Sequence, residues 1–284
     1  MGSPDGIAGV FDRAADTYDR VGVPWFEPIA AGLVAELAVR PGERVLDVGC
    51  GRGAALRPLA QATGPDGYAL GIDLAPRMVE LTSQDLSGLP QVEVRVGDAR
   101  APGLPPASFD VVASCLVLFF LPDPDAALRT WTDLLVSGGR LGVTTFGGQD
   151  ERWRRIDALF DPYLPAAMLD ARTSGRRGPF ASDAGMEDLF HEAGLADVRT
   201  VTDQVEARFD DPEHFLRFSW SHGQRAMWEA VPEADRSALR AEVVDTLDGM
   251  RDDTGGLTFV QHVRHTLGAR PLTVTSAGPA RSNV

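Results

Sequence analysis

Between residues 44 and 146, short apolar runs alternate with stretches of helical spacing. Val45, Leu46 and Val48 form the first run, which stops at glycine, and a helix-compatible stretch over 54–61 follows. A second run, 68–73, ends in Asp73 and precedes a helix from Pro76 to about residue 86. The third run, 92–99, closes on Gly97-Asp98-Ala99. The fourth, 108–115, is apolar enough for burial on both faces, and 116–121 continues it. Asp123 and Pro124 then read as the cap and first residue of a helix that Gly138-Gly139 ends, and 140–146 is the fifth run. This alternation predicts a parallel, doubly wound α/β sheet with ligands at the carboxyl ends of its strands.

The pattern changes on both sides. Phe11, Ala14, Ala15 and Tyr18 recur at helical spacing, and a second helix is expected over 26–38. Beyond Gly147 come a short helix with Trp153, Ile156, Leu159 and Phe160, then a polar loop over 174–179. A helix over 183–193, a strand over 198–209 and helices opening at Asp211 and Pro232 follow, before a final strand over 259–267. The chain thus divides into N-terminal cap helices (1–40), a core (41–149), a cap insertion (150–180), more core (181–210), a helical cap insertion (211–256), a last core strand (257–270) and a loose tail (271–284).

The chemistry gathers where the runs stop. Asp47, Gly49, Gly51 and Gly53 stand on alternate positions at the first strand–helix turn. Glycine permits a tight turn and close approach of a ligand, and the amides opening the next helix favour a negative group. The dinucleotide fingerprint G-x-G-x-x-G does not fit, because Ala54 occupies the place of its third glycine. Asp73, an acid ending the second strand, is placed to accept hydrogen bonds from ribose hydroxyls.

The acid followed by three alternating glycines closely resembles motif I of the class I S-adenosylmethionine (SAM) dependent methyltransferases. Gly97-Asp98-Ala99 and the sequence from Phe109 to "SGGRLGV" resemble later motifs of that family. F-D-x-A-A-x-x-Y-D near the N-terminus is similar to the signature of relatives of the ubiquinone and menaquinone C-methylating enzymes. The resemblance covers about residues 10–147. It implies a Rossmann-like sheet, mostly parallel with the last strand antiparallel, beneath a helical cap. It implies SAM as cofactor, with S-adenosylhomocysteine as product. The contacts it implies are Tyr18, Asp47, Gly49, Gly51, Gly53, Asp73, Leu74, Met78, Gly97, Asp98, Ala99, Ser114 and Cys115. Asp98 would meet the adenine amino group, Ser114 to Phe120 would pass the sulfonium end, and Tyr18 would help close the site or simply pack.

Bulk properties narrow the partners. A formal net charge of −14 argues against nucleic acid and against an anionic membrane surface. All basic residues are arginine, which excludes lysine Schiff-base and P-loop chemistry. Cys50 and Cys115 have no metal-ligand spacing, so no metal is expected and both are read as reduced and buried. No apolar stretch approaches the ~18 residues of a membrane span, and the N-terminus lacks a signal pattern, so a cytoplasmic location is expected. Homo-oligomerisation is left open.

The acceptor is encoded in the least motif-rich part. Read as one helix, 215–228 puts Phe215, Phe218 and His222 on one face and Leu216, Trp220, Gly223 and Met227 on the next. His222 is the first candidate for a general base, or a satisfied core histidine; Tyr18 is a second catalytic candidate. His262 and His265 read as sheet-surface residues, and His191 and His214 as exposed. Trp25, Phe26, Phe119, Trp220 and His222 are candidate substrate contacts, with core packing as the competing role. Arg172, Arg176, Arg177, Arg217 and Arg225 could hold a carboxylate or diphosphate, or be solvated surface. The leading expectation is methyl transfer to carbon or oxygen of a small, largely apolar metabolite in bacterial specialised metabolism. The alternatives are C-methylation of a prenyl (diphosphate) alkene and a SAM-binding cyclase or regulatory protein that transfers no methyl. An NAD-type oxidoreductase loses on glycine spacing.

Overall fold

The computed structural model describes residues 6–166 and 178–273. Residues 174–177 of the polar loop, with Arg172, Arg176 and Arg177, and the tail after 273 lie outside the described residues. The elements run α1 (Ile7–Ala14), α2 (Phe26–Leu37), β1 (Arg44–Val48), α3 (Leu56–Thr63), β2 (Tyr68–Asp73), α4 (Pro76–Asp85), β3 (Val92–Val96), β4 (Phe109–Cys115), α5 (Pro124–Leu134) and β5 (Leu135–Gln149). The second half adds α6 (Glu151–Ala158), α7 (Asp183–Glu192), β6 (Ala196–Phe209), α8 (Pro212–Trp220), α9 (Arg225–Ala230), α10 (Glu233–Asp248) and β7 (Leu257–Ala269).

One seven-stranded sheet has the order β3-β2-β1-β4-β5-β7-β6. β1 to β5 pair in parallel, and β7 is antiparallel to both β5 and β6. Helices cover both faces, so Val45, Leu46, Asp47 and Val48 of β1 are all buried. The chain order reverses direction between β1 and β4, which opens a crevice at their carboxyl ends. β6 and β7, adjacent in the sheet, are separated in sequence by α8, α9 and α10.

Several expectations change. α1 ends at Ala14, which leaves Tyr18 in the turn that follows. α2, grouped with α1 by sequence, packs instead on β4, β5, β6 and β7. Gly142 explains the close fit, since a Cβ there would stand 2.9 Å from both Leu33 and Leu37. β4 stops at Cys115: Leu116 turns left-handed (φ +59) and residues 118–120 form a 3₁₀ turn. An apolar run alone cannot separate strand from buried turn. Gly138 and Gly139 lie inside β5, not at the end of α5. Gly138 donates to the Arg270 carbonyl (3.0 Å), and the Gly139 carbonyl accepts from Arg270 N–H (2.7 Å). The run 215–228 is two helices, with turns over 221–224 that Ser221 helps close through its hydroxyl to the Phe218 carbonyl (2.7 Å).

Beside the sheet, distant segments share an aromatic cluster. Trp153 of α6 meets Trp25 (5.2 Å between centroids), Phe259 (5.4 Å), Phe215 (6.1 Å) and Phe218 (6.3 Å). All five are at most 4% exposed. The three phenylalanines stand edge to face with Trp153, a geometry that adds to the area they bury.

Candidate active site

A cavity of ≈ 300 Å³ opens at the carboxyl ends of β1 to β4. Its floor is the glycine turn. Gly49 has φ +74, and a Cβ there would fall 2.3 Å from Val117 Cγ2, so glycine is required twice over. Gly51, with φ +47, would direct a Cβ into open space, which leaves bare backbone facing the cavity.

Two buried acids stand behind this turn. Asp73 accepts the Gly51 N–H (2.8 Å) and the Ala75 N–H (2.9 Å) and lines the cavity. Burial raises its pKa while those amide bonds oppose the rise. Asp47 is 1% exposed, and neither carboxylate oxygen has a full hydrogen-bond partner. Burial first, and then the charge of Asp73, push its pKa up to about 7, with partial relief from the Leu56 N–H.

Leu74, Met78, Gly97, Asp98 and Ala99 form the next wall. Arg100 grips Asp98 with Nε to Oδ1 (3.0 Å) and Nη2 to Oδ2 (2.6 Å), which lowers its pKa. The Ala99 carbonyl is fixed by Trp131 Nε1–H at 2.7 Å. Cys115, Leu116 and Val117 complete the wall, and burial pushes the Cys115 thiol up to about 12.

The roof comes from the N-terminal segment. Phe11 and Tyr18 line the cavity and stand edge-on to each other (6.1 Å), while Phe11 meets Phe120 at 5.8 Å. Hydrogen bonds tie this segment down: Arg77 N–H donates to Asp12 (2.7 Å) and the Arg77 guanidinium to Asp16 (2.7 Å). Burial holds the Tyr18 phenol well above its ordinary pKa, and its hydroxyl has no hydrogen-bond partner among the described residues.

Ten of the thirteen residues expected around the cofactor therefore line one cavity: Tyr18, Gly49, Gly51, Asp73, Leu74, Met78, Gly97, Asp98, Ala99 and Cys115. The other three do not. Asp47 lies beneath the turn; Gly53 abuts Thr82 of α4; Ser114 is fully buried, its hydroxyl donating to the Val48 carbonyl (3.0 Å). Phe11, Arg100 and Leu121 line the cavity without having been expected there, while Leu116, Val117 and Phe120 fall in the 114–120 stretch expected to pass the sulfonium end. A left-handed Leu116 carries no sequence signal.

The expected acceptor residues scatter. Trp25 and Phe119 are core residues, 3% and 7% exposed, the latter packed on Phe120 and Phe146. Phe26 stacks on the outer side of Tyr18 at 4.3 Å. His222 stands behind Phe26 (5.9 Å) and against Phe218 (4.3 Å), and does not line the cavity. Its Nδ1 lies 2.7 Å from the Phe218 carbonyl, which assigns the proton to Nδ1 and the lone pair to Nε2. Burial lowers its pKa to about 4. Trp220 faces away toward a second hollow.

His214 and His265 are buried, against expectation. His214 Nε2 meets the Val21 carbonyl (2.8 Å), and His265 Nδ1 meets Thr144 Oγ1 (2.9 Å). Both are held by partners from distant segments, which local sequence does not reveal. His191 is exposed, as read. Among the described residues no group of acids, histidines or cysteines could hold a metal, and no helix is long and apolar enough to cross a membrane.

The strand order, the glycine turn and the acid ending β2 define an α/β domain built to hold an adenosine-type ligand. The profile of a methyltransferase domain matches residues 46–143. Nocamycin O-methyltransferase of Saccharothrix syringae is 37% identical over 250 residues, 84% of this chain and 89% of that protein. Aklanonic acid methyltransferase DauC of Streptomyces sp. (strain C5) is 39% identical over 166 residues, 58% of this chain and 76% of that protein. Among solved structures, the Haemonchus contortus phosphoethanolamine N-methyltransferase 2 complex with S-adenosyl-L-methionine superposes with a TM-score of 0.56 at 16% identity, covering 92% of this chain and 57% of that one. The chain belongs to the SAM-dependent methyltransferases, and SAM is its cofactor. The site suits that cofactor: Gly51 leaves backbone open, Asp73 keeps lone pairs free, and the Asp47 carboxylate lacks a full partner.

Proposed function

We propose that the chain methylates an oxygen atom of a small, largely apolar metabolite, and that this oxygen is acidic enough to be ionised before transfer. The observation that carries the reading is that, among the described residues, no competent base lines the cavity. Of the cavity's titratable groups, Asp73 is anchored by two amides with its remaining lone pairs on the side where the ribose would lie, and Asp98 is paired with Arg100. Tyr18 and Cys115 keep their protons at neutral pH. His222, with a pKa of about 4 and two rings between it and the cavity, is too weak to deprotonate an ordinary alcohol. An acceptor that arrives as a carboxylate or enolate needs none of them. The name of one relative, nocamycin O-methyltransferase, supports oxygen over carbon.

When bound, SAM supplies a methyl group already activated on a sulfonium. The residues of this chain do the rest. Asp73 is placed to accept ribose hydroxyls, and Asp98 with the Ala99 backbone to meet the base. The buried Asp47 charge favours a cation above the glycine turn. Phe11, Tyr18 and Phe120 exclude water and confine the acceptor, and the protonated Tyr18 hydroxyl is a donor that orients it. His222 acts through Phe26 on the seating of Tyr18, as a positioning residue.

Transfer of an isotopically labelled methyl group from SAM to paired acceptors of one apolar scaffold tests this. Label in a carboxylic acid or enol, with the matching alcohol inert, is the expected result. Preferential labelling of carbon, or of the alcohol, would overturn it.

A further inference from the structure

Arg217, Arg225 and Trp220 stand out in the sequence, yet none of them lines the cavity. They meet instead in a second hollow, ≈ 420 Å³, between α8, α9, α10 and the segment that follows α1. Its floor is apolar: Val21, Leu216, and Trp220 stacked on Trp228 with centroids 5.7 Å and planes 15° apart. Three guanidiniums, Arg217, Arg225 and Arg240, surround that floor. Arg225 lies 5.5 Å from the Trp220 ring centre.

The nearby carboxylates are already used. Glu213 pairs with Arg240, and Glu229 with both Arg13 and Arg225. Arg217 is exposed and has no ion-pair partner among the described residues. In a chain of formal net charge −14, a flat aromatic floor ringed by arginines runs against the overall field. Trp228 stacks on Trp220 and Arg225 lies over the Trp220 ring, so what the groove offers a planar ring is the half-buried indole edge with the Arg225 guanidinium beside it. The exposed Arg217 guanidinium offers paired donors to a carboxylate.

We propose that this groove is a binding site for a planar aromatic carboxylate, separate from the methyl-transfer cavity. The ring lies against the Trp220 edge and the Arg225 guanidinium, and Arg217 takes the carboxylate. The site shares no lining residue with the cavity, so it does not depend on which atom is methylated. The two still meet at one segment: Thr17 and Val21 face the groove, while Tyr18 between them roofs the cavity.

The test is a titration of the full chain, with S-adenosylhomocysteine saturating, followed by tryptophan fluorescence. The probes are 2-naphthoate, the neutral 2-naphthylmethanol and acetate. Naphthoate should quench saturably, with the alcohol and acetate each roughly tenfold weaker or worse, and added salt should weaken it further. Arg217→Gln should cost about tenfold in naphthoate affinity, and Arg217→Lys should recover part of it. Arg217 is exposed, so these variants leave the packing intact; Trp220→Leu should abolish the quench. Unchanged naphthoate affinity in Arg217→Gln, or equal binding of the neutral alcohol, would overturn the proposal.

Discussion

The glycine-turn half of the cavity and the aromatic half of the molecule are held by different means. Around Gly49 to Asp73 the fixed partners are backbone amides, and strand register places them: Val48 pairs with Ile72, whose carbonyl accepts the Gly49 and Cys50 N–H groups. Around Trp153 the contacts are between rings: Trp25 lies tilted against it, and Phe215 and Phe218 of α8 and Phe259 of β7 stand edge-on to it. One half presents buried carboxylates that favour a charged ligand. The other buries apolar area and a neutral imidazole. Binding specificity for the cofactor and stability of the cap are therefore separable by mutation.

The largest effect on folding should come from Trp153→Ala, which empties the centre of the ring cluster. A loss of about 3–5 kcal/mol is expected in urea unfolding. The cavity's affinity for S-adenosylhomocysteine should hold wherever the variant is folded. Asp73→Ala reverses the pattern: calorimetric affinity for S-adenosylhomocysteine should fall about 100-fold, roughly 2.7 kcal/mol, with little change in unfolding midpoint. Equal damage to both properties in either variant would erase the distinction.

The halves also oppose each other in pH dependence. Asp47 has its pKa raised from 3.8 to about 7, so between those values the folded chain holds a proton that the unfolded chain has released. Stability from this group is full below pH 4 and is lost as pH rises through 7. Asp47→Asn should accordingly stabilise the cofactor-free protein by about 2 kcal/mol at pH 8, with the gain vanishing near pH 4. The same variant should bind SAM more weakly. His222 carries the opposite sign. Its pKa is depressed from 6.5 to about 4, so the unfolded chain takes the proton first, and stability falls as pH drops through that window. The smallest effect belongs to His222→Gln, which should flatten that acid loss by about 1 kcal/mol after allowance for its partial exposure. Unfolding curves from pH 4 to 8 on both variants read the two slopes directly; parallel slopes would refute the contrast.

The order of strands and helices from 44 to 149, the glycine turn and Asp73 were all legible in the sequence. Each follows from local periodicity or from a backbone need that glycine alone meets, as at Gly49. Ten of the thirteen expected cofactor residues share a cavity because strand ends of a parallel sheet gather at one edge whatever lies between them. The tertiary structure decided the rest. It made Trp25 and Phe119 core, buried His214 and His265, and split 215–228 so that His222 sits in a turn. It also turned Trp220 toward a groove of arginines. The reason is physical: an apolar or imidazole side chain reads alike in sequence whether it faces a ligand or another ring, and only packing between segments far apart in the chain chooses.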